Sequence, residues 1–119
     1  MKAIEIIDSA RTITYDSKIT AQTWKNKEYL KALNTARSLL FSRRPESRAA
    51  GTLELEDFVE IEEAAIAKEM TEDETYRLFF IAYVVSIFFE SNAYDTRSAQ
   101  NADRQLKNYL WALGLGGSG

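Results

Sequence analysis

The sequence of 119 residues contains no cysteine and no histidine. Without cysteine it can form neither a disulfide nor a thiolate metal site, which fits an intracellular protein. Without histidine it lacks the commonest general base and the commonest nitrogen ligand of metals. These two absences argue against hydrolase triads and zinc sites, and no metal or other cofactor is predicted.

Helix-breaking residues are scarce as well, because there is one proline and four of the five glycines lie in the last six residues. With 45% apolar residues, this composition favours helices around one core over a turn-rich sandwich. We therefore predict a mainly α fold, a small helical bundle of about four helices in one domain. The domain covers residues 1–113, and residues 114–119 form a flexible Gly-rich C-terminal tail, either native or left by expression cloning.

Long apolar runs are also missing. The longest, LFFIAYVVSIFF at 78–89, has twelve residues, whereas a membrane-spanning helix needs roughly 20. The N-terminal stretch MKAIEIIDSA has no continuous apolar region, so no signal peptide is expected. We interpret residues 78–89 as a core helix and expect no membrane partner.

Helical periodicity places the predicted elements. The first helix covers residues 2–11, and the second runs from an N-cap at Asn26 to about Ser42, before Pro45. The third follows a capping box at 71–74, and the fourth is capped by Asp95 or Thr96. Because the third helix is apolar nearly all round, it is either central to its own bundle or buried by a partner subunit.

A short loop or β-like excursion is predicted between helices two and three. TLELEDFVEI at 52–61 alternates partly between apolar and acidic residues, which is typical of a strand or hairpin arm. The following residues could equally form a helical turn, so a hairpin, a loop and a helical turn all remain open for residues 52–70.

Charge is distributed unevenly along the chain. Residues 1–48 carry a net charge of +5, residues 49–74 carry −9, and residues 75–119 carry +1, for a total of −3. Such segmentation indicates charged contact surfaces more than the total charge does. A solvated acidic loop is the simpler alternative.

A search for catalytic motifs finds no candidate. Glu60 and Glu63 are spaced as one acidic pair of the all-α, magnesium-dependent nucleotide pyrophosphohydrolases, but Ala93 stands where the second pair, begun by Glu90, needs an acid. No Gly-rich loop precedes a helix, so the sequence lacks a phosphate-binding loop of the Walker type. A basic cluster with aromatic neighbours near the end of the second helix could bind nucleic acid. No helix-turn-helix pattern follows it and the protein is acidic, which argues against a DNA-binding protein. We expect a protein that is not an enzyme.

The order of several residues resembles a known family. A tryptophan, a helix with a Leu-Asn pair and a terminal Arg-Pro occur here as Trp24, Leu33, Asn34, Arg44 and Pro45. The stretch TEDETYRLFFIAYVVSIFFESNAYDTRSAQNADRQLKNYLWALG resembles a closing helix pair in which an aromatic-rich helix precedes an Ala-rich helix ending in Leu-Gly. Over most of residues 3–114 the chain is similar to the head-to-tail connector (portal adaptor) proteins of tailed bacteriophages.

The resemblance implies a structural role in the virion, at the junction of head and tail, for a protein made in the host cytoplasm. Such a protein would form a ring with copies of itself, typically a dodecamer, between the portal protein and the next tail or head-completion protein. It would extend the channel through which double-stranded DNA passes without sequence-specific binding. In this family the C-terminal end commonly reaches the portal.

Two groups of residues are candidates for these contacts. The candidate inter-subunit or portal contacts are Arg37, Arg43, Arg44, Arg48, Leu115, Gly116 and Gly117. The candidate channel or inter-subunit acids are Glu54, Glu56, Asp57, Glu60, Glu62 and Glu63. The alternative function is a small acidic inhibitory or regulatory protein that mimics DNA and binds one basic protein.

Overall fold

The computed structural model describes residues 1–14, 16, 22–51, 54–92, 100, 104 and 107. The longest elements of these residues are three α-helices, α1 (Ala3–Ile13), α2 (Asn26–Arg43) and α3 (Arg77–Asn92). Short 3-10 turns occur at Pro45–Ser47, Leu55–Asp57, Glu63–Ala65 and Glu74–Tyr76. The predicted helical fold is confirmed, whereas most of the predicted fourth helix and the whole tail lie outside the described residues.

The start of α2 differs from its prediction. Asn26 is the first helical residue and not the N-cap, and the carboxylate of Glu28 accepts a hydrogen bond of 2.8 Å from the backbone N–H of Lys25. Asn26 instead accepts a hydrogen bond of 2.9 Å from Arg11. The helix ends at Arg43, one residue beyond the predicted end, because the residue before Pro45 is disfavoured in helical conformation.

The predicted capping box of α3 is wrong in detail. The cap is Asp73, whose carboxylate accepts a hydrogen bond of 2.9 Å from the N–H of Thr75. The chain then makes the 3-10 turn Glu74–Tyr76 and enters α3 at Arg77. Glu72, the acid directly after Thr71, takes no part in the cap, because it is buried and pairs with Arg37 of α2. The cap therefore lies two residues later than predicted, and the α-helix begins only after the 3-10 turn.

The hydrophobic core lies among the three helices, and α3 contacts both α1 and α2. The largest fully buried side chains are Tyr29, Phe79, Phe80, Phe88, Ile6, Ile7, Leu33, Leu40, Val84 and Val85. Burying a side chain of this size contributes about 1.5–3 kcal/mol. Of the two roles predicted for α3, the structure shows the central one, although Leu78 remains 56% exposed.

The connection between α1 and α2 is closed by a buried polar cluster. Arg11 reaches from α1 to the backbone oxygens of Asp16 (3.1 Å) and Trp24 (2.8 Å). The carboxylate of Asp16 accepts hydrogen bonds from the N–H groups of Thr23 and Trp24 and from the hydroxyl of Tyr29. Because each buried charge is paired, the cluster holds the N-terminal end of α2 against α1.

The segment between α2 and α3 forms no strand over residues 54–70. It is a loop with the two 3-10 turns Leu55–Asp57 and Glu63–Ala65, and its single β-bridge joins Lys2 to Glu69. Residues 54–70 are therefore a loop that includes the helical turn given as an alternative, at Glu63–Ala65, and the hairpin interpretation of this part is wrong. Within the described part of the chain, none of the helices is long and apolar enough to cross a bilayer.

Candidate functional site

An acidic surface is the most distinctive feature outside the core. It consists of Glu54, Glu56, Asp57, Glu60, Glu62 and Glu63, which are all exposed except the half-buried Asp57. Asp57 accepts a hydrogen bond of 3.1 Å from the N–H of Glu54, which closes the 3-10 turn Leu55–Asp57. The predicted acids are thus brought together on one short segment.

Asn34 fixes the middle of this segment on α2. Its Nδ2 donates to the carbonyl of Ile61 (3.0 Å), and its Oδ1 accepts from the N–H of the same residue (2.9 Å). The side chain therefore satisfies both backbone groups of Ile61, as a neighbouring β-strand would.

Arg37 lies one helical turn further along α2 and binds the same segment. Its Nη1 donates to the carbonyl of Val59 (3.0 Å) and to Oδ1 of Asn34 (2.8 Å). Its Nε donates to Oε1 of Glu72 (2.9 Å), and both charged side chains are about 6% exposed. A buried ion pair of this kind strongly opposes the loss of either partner, because the remaining charge is left without compensation.

An aromatic contact holds the segment at Phe58. The Phe58 ring lies 5.4 Å from the ring of Phe41 in an edge-on arrangement, and the guanidinium of Arg37 lies 5.1 Å from its centroid. On the other side, Arg48 lies 4.5 Å from the Phe41 ring and donates to the carbonyl of Phe41. The acidic surface therefore adjoins the basic loop that follows α2.

The carboxylates of the acidic surface are not neutralised within the described part of the chain. No ion pair reaches any of the six from a described residue. The other acids of this region behave differently, since Glu72 pairs with Arg37 and Glu74 pairs with Arg77. An acidic surface without ion pairs of its own can bind a cationic partner or repel a nucleic acid.

The predicted basic contacts have different environments. Arg37 is buried and committed to three acceptors within the chain, so the prediction that it contacts another subunit does not fit this structure. Arg43 is exposed at the end of α2, Arg44 pairs with Glu46 at 3.2 Å, and Arg48 is half-buried. The predicted contacts Leu115, Gly116 and Gly117 lie outside the described residues.

Four of the five residues that carry the resemblance, Trp24, Leu33, Asn34 and Pro45, have clear local roles. Trp24 is half-buried and packs edge-on against Tyr29 (5.1 Å between centroids) and Phe88 (5.0 Å). Leu33 is fully buried, and Pro45 begins the 3-10 turn after α2. Together with Asn34, these positions serve the bundle and the attachment of the acidic segment.

A groove runs between α2 and the loop. Its volume is about 320 Å³, and its walls are mainly apolar, with Phe41, Phe58, Val59 and Met70 among the lining residues. Asp57, Glu60, Glu62 and Glu69 contribute acids to its lining. Within the described residues, no group of three or more metal-binding side chains is close enough together to hold an ion.

Residues 59 and 72 were missed as partners of Arg37 at the sequence level. The positions are far apart in sequence, and the only available signal was a charged residue on the apolar side of a helical pattern.

No family model matches this sequence, and the comparisons with curated proteins and with solved structures found no match.

Proposed function

We propose that this chain is a structural head-to-tail connector (adaptor) of a tailed bacteriophage and has no catalytic role. In this proposal it forms a ring, a dodecamer by the resemblance, between the portal protein and the next tail or head-completion protein in the virion. The observation that carries the proposal is the acidic surface, which forms no ion pair within the described residues and whose segment is attached to α2 through Asn34 and Arg37.

Ring assembly would use this surface in a simple way. A closed ring is built from heterologous contacts, in which one face of a subunit meets a different face of its neighbour. The exposed acids and the basic residues Arg43, Arg44 and Arg48 supply charges of opposite sign for such a contact. Charge complementarity of this kind fixes register and orientation more than it adds affinity.

The same acids could instead line the DNA channel. A lining that neutralises phosphates would hold DNA, because each neutralised phosphate releases counterions and adds to the affinity. Acids that form no ion pair within the described residues, such as Glu60 and Glu62, would let the duplex pass. Channel lining and subunit contact are compatible, since they can involve different members of the acidic surface.

The test is reconstitution with purified portal rings. The protein is mixed with portals, captured on the tagged portal and imaged by negative-stain electron microscopy. We expect a second tier on the portal ring, and we expect it to be lost when residues 114–119 are deleted. Imaging the portal is necessary because many adaptors remain monomeric until a portal is present. Absence of the tier with every tested portal would contradict the proposal.

The second candidate function is a DNA mimic that binds one basic protein. The uncompensated acids favour it as well, because they present fixed negative charges at the surface. A mimic would act as a monomer or dimer and would not need a ring. Tight capture of one basic nuclease or DNA-binding protein, together with no portal binding, would favour this function over the connector.

A further inference from the structure

The backbone of residues 58–62 has one side bound to α2 and one side open. Phe58 (φ −63°, ψ 130°) and Glu62 (φ −83°, ψ 155°) are extended, and no helix or turn interrupts the residues between them. The carbonyl of Val59 and both backbone groups of Ile61 face α2, where Arg37 and Asn34 bind them. This segment is therefore attached like a strand, with side chains in place of a neighbouring strand.

On the opposite side of the segment, the N–H of Phe58 and the C=O of Glu62 are bonded within the flanking 3-10 turns, and the backbone groups of Glu60 between them are open. In an extended chain the backbone groups of successive residues point to opposite edges, so those of Glu60 face away from Val59 and Ile61. Within the described part of the chain, neither the N–H nor the C=O of the exposed Glu60 has a hydrogen-bond partner. An exposed edge of this kind is a template for pairing with another chain.

The residues around this edge indicate what kind of peptide strand would bind to it. Val59 lines the groove beside the edge and is 72% exposed, so it offers an apolar contact to a side chain of an added strand. The acids on either side of it, Asp57, Glu60 and Glu62, have no ion pairs within the described residues. A complementary strand would alternate apolar and basic side chains.

We propose that residues 58–62 accept an extended peptide of another protein, one that alternates basic and apolar residues, by β-strand addition. The peptide pairs with the N–H and C=O of Glu60, places an apolar side chain on Val59 and sets its cations against the acidic surface. Main-chain hydrogen bonds would supply affinity, and the side chains would supply specificity. This inference does not depend on a ring, because one subunit carries the whole site.

The test uses a fluorescent hexapeptide of alternating lysine and valine as the probe. Its matched controls are the two versions of the same peptide in which alternate backbone nitrogens, odd or even, are methylated, which keeps the charge and removes the donors along one edge. We expect binding of the unmodified peptide and an affinity lower by about tenfold for the methylated ones, in either register, corresponding to one or two net hydrogen bonds. Equal binding of the unmodified and methylated peptides, or no binding of the unmodified peptide, would overturn the proposal.

Hydrogen exchange at single amides gives an independent readout. On adding the peptide, exchange at the N–H of Glu60 should slow, whereas exchange at Ile61, already bound to Asn34, should change little. Glu60→Pro, which removes the open donor, should weaken binding more than Glu60→Gln, which keeps it. Purely electrostatic attachment would weaken binding equally in the two variants, because both lose the same charge, and would give no protection at Glu60. This result would reject strand addition even if no ring ever forms.

Discussion

Arg37 shows how one side chain can determine the position of a whole segment. It lies on the core-facing side of α2, is 5% exposed and pairs with Glu72, 35 residues further along the chain. Its other hydrogen bonds go to Asn34 and to the backbone of Val59. The acidic segment is therefore attached through a buried ion pair, and removing either partner leaves the other charge buried without compensation.

Replacing Arg37 by methionine should destabilise the protein by about 3–5 kcal/mol, because Glu72 would remain buried without its partner. Chemical denaturation measures this change. The double variant Arg37→Met with Glu72→Leu should recover most of the loss. Arg44→Met is the matched control, since Arg44 pairs only with the exposed Glu46 at the surface, and it should change stability little. A small effect of Arg37→Met would show that the ion pair does not hold the segment.

Asp73 gives a prediction about pH. The hydrogen bond from the N–H of Thr75 lowers the pKa of the Asp73 carboxyl. A lowered pKa means that the cap stabilises the fold above the pKa of the unfolded state, and that this stabilisation is lost as pH falls through the folded-state pKa. Asp73→Ala should therefore lower the melting temperature at pH 7 and make a smaller difference at pH 3. An equal difference at both pH values would contradict the assigned cap.

Some of these residue roles could be read from the sequence and others could not. The inward direction of Asn34 follows from helical periodicity, and an inward-facing amide needs a hydrogen-bond partner. The identity of its partner Ile61, 27 residues away, depends on how the loop folds back, which local patterns do not contain. For the same reason Arg37 was predicted as a surface contact, although Glu72 holds it inside.

At the level of elements, the attachment of the loop to α2 depends on Asn34. Asn34→Leu should leave both backbone groups of Ile61 unpaired and destabilise the protein by about 1–3 kcal/mol. Exchange of the Ile61 amide should become faster, which hydrogen-exchange NMR measures directly. The neighbouring exposed residue Thr35 offers the control, and Thr35→Ala should leave that amide protected. Unchanged exchange at Ile61 in the Asn34 variant would argue against the attachment.

The central position of α3 leads to a contrast between two of its residues. Phe80 is fully buried, and Phe80→Ala should cost about 3–5 kcal/mol through lost burial and a new cavity. Leu78 is 56% exposed, and Leu78→Ala should change stability by less than about 0.5 kcal/mol. Thermal or chemical unfolding of the two variants compares them. Equal destabilisation would mean that the outer side of α3 is covered as well as its inner side.

The helices themselves were largely predictable, and the loop was not. Apolar residues at helical spacing and the Arg44-Pro45 pair gave α1 and α2 to within about two residues, the usual uncertainty of helix ends. The start of α3 was misplaced because the capping-box pattern does not reveal that Glu72 turns inward. The partial alternation of residues 52–61 suggested a strand, whereas Asn34 and Arg37 satisfy backbone groups of this segment with side chains.

At the scale of the whole molecule, we propose that the acidic surface serves contacts with other molecules. If this is correct, its carboxylates contribute little to the stability of the single chain. A variant in which all six are replaced by the corresponding amides should keep its fold and its melting temperature, since no described residue forms an ion pair with them. Asp57→Asn retains an acceptor for the N–H of Glu54, so the local turn should persist.

The most direct measurement compares this six-amide variant with the unaltered protein in decorating portal rings, by negative-stain microscopy and by sedimentation. We expect a second tier with the unaltered protein and a loss of that tier with the folded variant. Weaker decoration by the unaltered protein at high salt would agree with a contact between exposed charges. A folded variant that decorates the portal as well as the unaltered protein and still permits DNA passage would contradict the account.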